Sequence, residues 1–274
     1  MPPYGGRNTA AAVPPEAENR AGRARYGSRS IIPKLLRCVA AAAFVFYAGL
    51  SPSRAQSAAP LPPPASVPDA QPPNVGEAKT AATAYHDSGA YARDLAAAAS
   101  AAAEWTVRRA SETSHPALVL DIDETALTNW DVIKADDFGY ITDGPCVALP
   151  EGPCGWTAWD LLAKAPAIGP TLTLFRRARG LNVSVFFITG RRESQRAATE
   201  RNLQNAGYQG YAALYMRPEG SRYASAADFK APVRAAIEAA GYTIVANMGD
   251  QPSDLAGGHA ERAFLLPNPF YRIP

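Results

Sequence analysis

Cysteine, histidine and methionine are scarce, with three of each in 274 residues. None of the cysteines and histidines stands at metal-ligand spacing, so a zinc centre built on soft ligands is excluded. Long apolar runs are missing too. The longest, Val39 to Leu50, is too short to cross a bilayer, which takes roughly 20 residues. Nor is charge of one sign concentrated where a fold would use it. The formal net charge of +2 divides into 8 Lys/Arg against 2 Asp/Glu in residues 1–55, and 19 against 23 in residues 56–274. The mildly acidic remainder holds no basic run longer than a pair such as Arg176-Arg177. That argues against a nucleic-acid partner, which needs a dense positive face. What is present is apolar material, 47% of the chain, enough for a sizeable core.

The basic N-terminal residues belong to a processing pattern. Arg20, Arg23, Arg25, Arg29, Lys34 and Arg37 precede the apolar segment, and Ser53-Arg54-Ala55 sets small residues at the −3 and −1 positions of a cleavage site. Residues 1–55 are therefore expected to be a signal peptide directing the chain to the periplasm or the exterior, with no stable membrane span after processing. An uncleaved anchor is the alternative. Residues 56–75, rich in Pro and Ala, predict an extended linker. Beyond Cys38, only Cys146 and Cys154 remain. In an oxidising compartment they are expected to pair, two free thiols being the alternative.

The folded region is expected to occupy residues 76–274. It begins with an Ala-rich helical stretch from Glu77 to about Thr113. His86 and His115, in or beside that stretch, are read as surface or capping residues, and His259 as structural. Five short apolar runs follow, at 117–122, 183–188, 212–216, 243–247 and 262–266. Helical patterns at 170–179, 193–206 and 228–240 separate the later ones, each ended by a glycine. Such alternation predicts an α/β fold with a parallel sheet, and ligands at the carboxyl ends of its strands.

Polar residues gather at those ends. The first run closes Asp121-Ile122-Asp123-Glu124-Thr125, and alternation along an extended chain turns Asp121 and Asp123 the same way. The second closes Thr189-Gly190-Arg191, a hydroxyl, an open N–H and a guanidinium at a helix start, suited to an anion. The fourth closes Gly249-Asp250-Gln251-Pro252-Ser253-Asp254. Four carboxylates in one crevice repel unless a cation intervenes. A hard divalent ion with oxygen ligands, Mg²⁺ being the expected one, resolves this and also neutralises a phosphate. Lys230 is the natural protein cation to complete the site.

These four motifs resemble, in order and spacing, those of the haloacid dehalogenase (HAD) superfamily. GDQ-x-SDL and the closing LPNPFYRIP at 266–274 are similar to its secreted acid phosphatase branch, which includes plant acid phosphatases and bacterial outer-membrane acid phosphatase lipoproteins. The resemblance spans roughly residues 77–274. It implies a Rossmann-like HAD core with an N-terminal helical segment and a small cap insertion at 127–169, and hydrolysis of phosphate monoesters through an aspartyl-phosphate. Asp121 would be the nucleophile and Asp123 the general acid and base. Asp121, the backbone carbonyl of Asp123 and Asp250 would hold Mg²⁺. Thr189 and the N–H of Gly190 would bind phosphoryl oxygens, Lys230 would offset their charge, and Asp254 would orient Lys230. Arg191 would contact phosphate, brace the loop or face solvent.

Within the insertion, Trp130, Trp156 and Trp159 would pack the cap or stack on an aromatic leaving group, with packing favoured and Tyr140 and Tyr271 as further stacking candidates. A phosphotransferase of the same fold stays open, as does a storage protein like plant relatives that lack the nucleophile. Nucleotide, aryl and sugar phosphates are equally open as small-molecule substrates, and the oligomeric state is unassigned.

Overall fold

A computed structural model describes residues 72–274; the expected signal segment and most of the linker lie outside the described residues. The expected single helical stretch is two helices, α1 (Val75–Asp87) and α2 (Ala90–Ala110). Gly89 parts them at φ +75°, a left-handed turn that glycine adopts without steric cost. Then come β1 (Pro116–Leu120), α3 (Trp130–Ala135), α4 (Trp156–Leu162), α5 (Gly169–Gly180) and β2 (Ser184–Arg192). A 3₁₀ turn at Glu193–Gln195 leads into α6 (Arg196–Asn205), followed by β3 (Ala213–Arg217), α7 (Ala227–Ala239), β4 (Thr243–Gly249), α8 (Pro252–Leu255) and β5 (Ala263–Leu265).

The strands form one parallel sheet in the order β3-β2-β1-β4-β5. Side-chain alternation divides it into two packed faces. Leu118, Leu120, Val185, Phe187 and Val245 join Leu95, Ala102, Leu174 and Leu203 from α2, α5 and α6. Ala117, Val119, Phe186, Ile188 and Ile244 meet Phe229 and Ile237 of α7. A helix layer on each side explains why every residue of β1 is buried and apolar. Trp105 ties α2 to the sheet by donating its indole N–H to the Val245 carbonyl at 2.7 Å.

The chain runs out from β1 to β2 to β3, then returns across β1 to form β4. The order therefore reverses beside β1, the place where open α/β sheets leave a crevice at their carboxyl edge. The segment between β1 and α5 leaves and returns at one point, joined by an antiparallel bridge of Leu127 to Ala167. Within it Cys146 and Cys154 form a disulfide. Trp159 is buried there, while Trp130 stacks on His86 with ring centroids 3.7 Å apart. His86 is thus a packing residue between α1 and the insertion, rather than the surface or capping group expected of it. No helix among the described residues is long and apolar enough to cross a membrane.

Candidate active site

The crevice at the strand ends is a cavity of about 360 Å³. Asp121 and Asp123 follow β1, Asp250 and Asp254 follow β4, and Lys230 reaches in from the first turn of α7; all five line it. Gly190 and Arg191, near the end of β2, line it too. Thr189 is fully buried behind them, its hydroxyl accepting from the Arg191 N–H at 3.1 Å. The β2–β3 ladder is irregular between Thr189 and Arg192, and a Cβ at Gly190 would meet nothing within 4 Å.

The four carboxylates do not form one set. Oxygens of Asp121, Asp250 and Asp254 lie within 4.8 Å of one another, all three residues buried. Lys230 Nζ bridges two of them, at 2.5 Å from Asp121 and 2.6 Å from Asp254. Asp254 also accepts from the Gln251 N–H at 2.9 Å, so it both caps α8 and orients Lys230. Its carboxylate folds back against Gly249, where any Cβ would come within 2.5 Å of it. Arg234 anchors that turn, its fully buried guanidinium donating to the carbonyls of Asp254, Ala256 and Gly258.

Asp123 belongs to a second group. Arg191 Nη2 donates to Asp123 Oδ1 at 2.7 Å and Nε lies 3.2 Å from both oxygens. Asn129 Nδ2 adds a bond at 3.0 Å. Arg191 is buried and pairs with Asp123 on this loop, so it does not face solvent.

Electrostatics follow the same division. Burial, reinforced by Asp254 and Asp250, pushes the Asp121 carboxyl well above the usual range, with Lys230 opposing. Burial and then Asp254 push Asp250 up to about 7. Burial would raise Asp123 as well, but the Arg191 ion pair and the bonds from Arg191 and Asn129 hold it below the ordinary value. A buried all-oxygen cluster that resists ionisation, with one lysine among three acids, fits a hard metal ion. Asp121, Asp250 and Asp254 each offer a carboxylate oxygen to such an ion.

Several groups escaped the sequence reading. Glu124 is fully buried at φ +52°, accepting from the Asn129 N–H, from Asn129 Nδ2 at 3.0 Å and from the Tyr271 hydroxyl at 2.6 Å. Burial raises its carboxyl to about 7. Thr125, Gln251 and Asn268 all donate to Asp250, at 3.2, 2.6 and 2.7 Å. Asp160, buried in α4, meets Arg191 at 3.0 Å. The available signal was an acid set among apolar residues in WTAWDLL. Tyr140, Trp156 and Tyr271, which the sequence had offered as packing or stacking residues, line the same cavity as an aromatic wall with centroids 4.8 to 6.0 Å apart.

Comparison with known proteins adds to this geometry. Acid phosphatase 1 of Solanum lycopersicum is 34% identical over 157 residues, 57% of this chain and 58% of that one. A stem 28 kDa glycoprotein of Glycine max is 33% identical over 164 residues, 58% of this chain and 61% of that one. The chain thus spans about three fifths of the length of these plant relatives. The class C acid phosphatase of Bacillus anthracis shares the fold, with a TM-score of 0.58 at 20% identity over 72% of this chain and 86% of that one. Residues 67–274 match the family described as HAD superfamily, subfamily IIIB (Acid phosphatase), and the chain belongs to that family.

Proposed function

We propose that the protein is a Mg²⁺-dependent acid phosphatase that hydrolyses small phosphate monoesters through an aspartyl-phosphate on Asp121. The observation that carries this is the buried cluster of Asp121, Asp250 and Asp254 around Lys230 on the cavity floor. Asp121, Asp250 and the backbone carbonyl of Asp123 would hold the ion, which when bound neutralises phosphoryl charge and lowers the repulsion between phosphate and the attacking carboxylate.

This chain's own groups would then act in two steps. A carboxylate oxygen of Asp121 bonds to phosphorus as the ester P–O bond breaks, and the bond's electron pair leaves with the alcohol oxygen. Asp123 gives that oxygen its proton. In the second step Asp123, now a carboxylate, takes a proton from water as the water oxygen attacks phosphorus, and Asp121 departs as a free carboxylate. Thr189, the Gly190 N–H and Lys230 are assigned to the phosphoryl oxygens, and Asp254 to holding Lys230. The pull of Arg191 toward an ionised Asp123 favours the second step and opposes the first, in keeping with a preference for acidic conditions when the leaving group is poor.

The signal pattern and the disulfide support a periplasmic or secreted location. A storage or binding role is the weaker reading, because Asp121 stands at the nucleophile position with Lys230 paired to it. The test is a panel of nucleotides, sugar phosphates and an aryl phosphate, assayed with Mg²⁺ and with chelator, and with added alcohols to detect transfer. Mg²⁺-dependent release of inorganic phosphate is expected; no turnover of any phosphomonoester would favour storage, and phosphorylated alcohol as main product would favour transfer.

A further inference from the structure

The proposed roles leave Asp160 unused, although the insertion buries it against the site. Its Oδ1 lies 3.0 Å from Arg191 Nη2, and its Oδ2 accepts from Gln195 Nε2 at 2.8 Å. Arg191 is turned mainly toward Asp160 and Asp123. Nε is shared between the two oxygens of Asp123, Nη2 donates to Asp123 Oδ1 and faces Asp160 as an ion pair, and Nη1 reaches the Thr199 hydroxyl at 3.5 Å. The insertion also approaches Asp123 from a second side, through Asn129, whose own Oδ1 accepts from Trp159 Nε1 at 2.8 Å.

We propose that Asp160, acting through Arg191, is a positioning residue that fixes the orientation of Asp123 for proton exchange, so that the insertion contributes to the proton-transfer step as well as to substrate enclosure. This rests on the reading of Asp123 as acid and base. A lone aspartate on a loop can rotate about both side-chain bonds, whereas a guanidinium facing both its oxygens sets the plane of the carboxylate. An arginine can do so only if its own long chain is held, and Asp160 and Thr199 hold it. Misplacing a proton donor by about 1 Å can cost as much as a hundredfold in rate.

The test compares hydrolysis of an alkyl phosphate and an activated aryl phosphate by the wild type and by Asp123→Asn, Asp160→Ala, Asp160→Asn and Arg191→Lys, with inhibition by inorganic phosphate as a second readout. Departure of an alkoxide needs a proton and departure of an activated aryl oxide hardly does. Asp160→Ala and Arg191→Lys should lower turnover of the alkyl ester about tenfold more than that of the aryl ester, with phosphate inhibition within roughly twofold of wild type. Asp160→Asn keeps an oxygen acceptor for Arg191 and should recover most of the loss. Equal losses on both esters, or phosphate inhibition weakened about tenfold in Arg191→Lys, would overturn the proposal and make Arg191 a phosphate ligand. Should Asp160→Ala fail to fold, Arg191→Lys, which keeps the charge and loses the planar fork, decides by the same criterion. If Asp123→Asn itself shows no dependence on leaving group, the acid-base reading fails first; a dependence there without one in Arg191→Lys overturns this inference alone.

Discussion

The floor of the crevice and its insertion wall are built on different principles. Floor groups come from the ends of adjacent parallel strands, β1 and β4, whose register is held by the sheet; Lys230 bridges their carboxylates, and Arg234 holds the turn after β4 through its backbone carbonyls. Wall groups come mostly from short helices and loops joined to the sheet at the Leu127–Ala167 bridge and tied within themselves by the disulfide, with Tyr271 added from the segment after β5. A rigid floor suits bond making at phosphorus, where small displacements cost rate. A wall of Tyr140, Trp156 and Tyr271 suits selection among leaving groups, where aromatic area matters more than ångström-level placement. The division predicts that floor changes act on turnover and changes in the aromatic part of the wall on substrate binding, while Asp160 acts on turnover through Arg191.

The largest effect is expected at Asp121. Asp121→Asn keeps the shape and removes the attacking anion, so turnover should fall roughly ten thousandfold or more while phosphate binding, read by calorimetry, persists. An Asp121→Asn variant as active as wild type would end the enzyme reading. Next comes the metal. Exhaustive chelation should abolish turnover and Mg²⁺ restore it, with Zn²⁺ a poor substitute at a site of hard oxygen ligands. Asp250→Asn should weaken Mg²⁺ binding in direct titration as well as activity, and full activity with chelator present would exclude the mechanism.

The two regions were also unequally legible in the sequence. Floor residues stand at the ends of apolar runs, where alternation and the parallel-sheet rule place them without knowledge of any contact. Asp121, Asp123, Asp250 and Asp254 were found this way, Lys230 from its place at a helix start beside them, and all five line one cavity. Wall and support residues depend on contacts distant in the chain. Asn268 reaches Asp250 and Tyr271 reaches Glu124 across long separations, and no local period encodes either. Glu124 points inward because its backbone turns left-handed, which its neighbours in sequence do not announce. The α1–α2 break had a signal in Ser88-Gly89, outweighed by the surrounding alanines.

A smaller effect tests the wall. Tyr140 is 48% exposed, so its loss leaves little cavity in the core. Tyr140→Ala should raise KM for an aryl phosphate about tenfold, with kcat within about threefold of wild type, and should leave KM for a small alkyl phosphate nearly unchanged. A drop in kcat on both substrates with unchanged KM would place Tyr140 with the floor and break the division.

The smallest effect concerns stability, and it separates floor from wall by pH. In the metal-free protein, burial raises Asp250 on the floor and Asp160 on the wall from 3.8 to about 7, and Glu124 beneath them from 4.5 to about 7. A carboxyl whose folded-state pKa is raised binds more protons in the folded than in the unfolded chain between those two values. Stability therefore rises as pH falls from about 7 toward 4, the reverse of a salt-bridged carboxylate. Protein in chelator should melt a few degrees higher at pH 5 than at pH 8. Saturating Mg²⁺ favours the ionised Asp250 and should shrink the difference, leaving the part due to Asp160 and Glu124. Asp160→Asn removes one of those titrations and should shrink it further, as thermal melts of the four combinations of metal and variant would show. A melting temperature in chelator that is lower at pH 5 than at pH 8 would mean that these acids are not held protonated by burial, and the electrostatic argument for a cation at the floor would lose its basis.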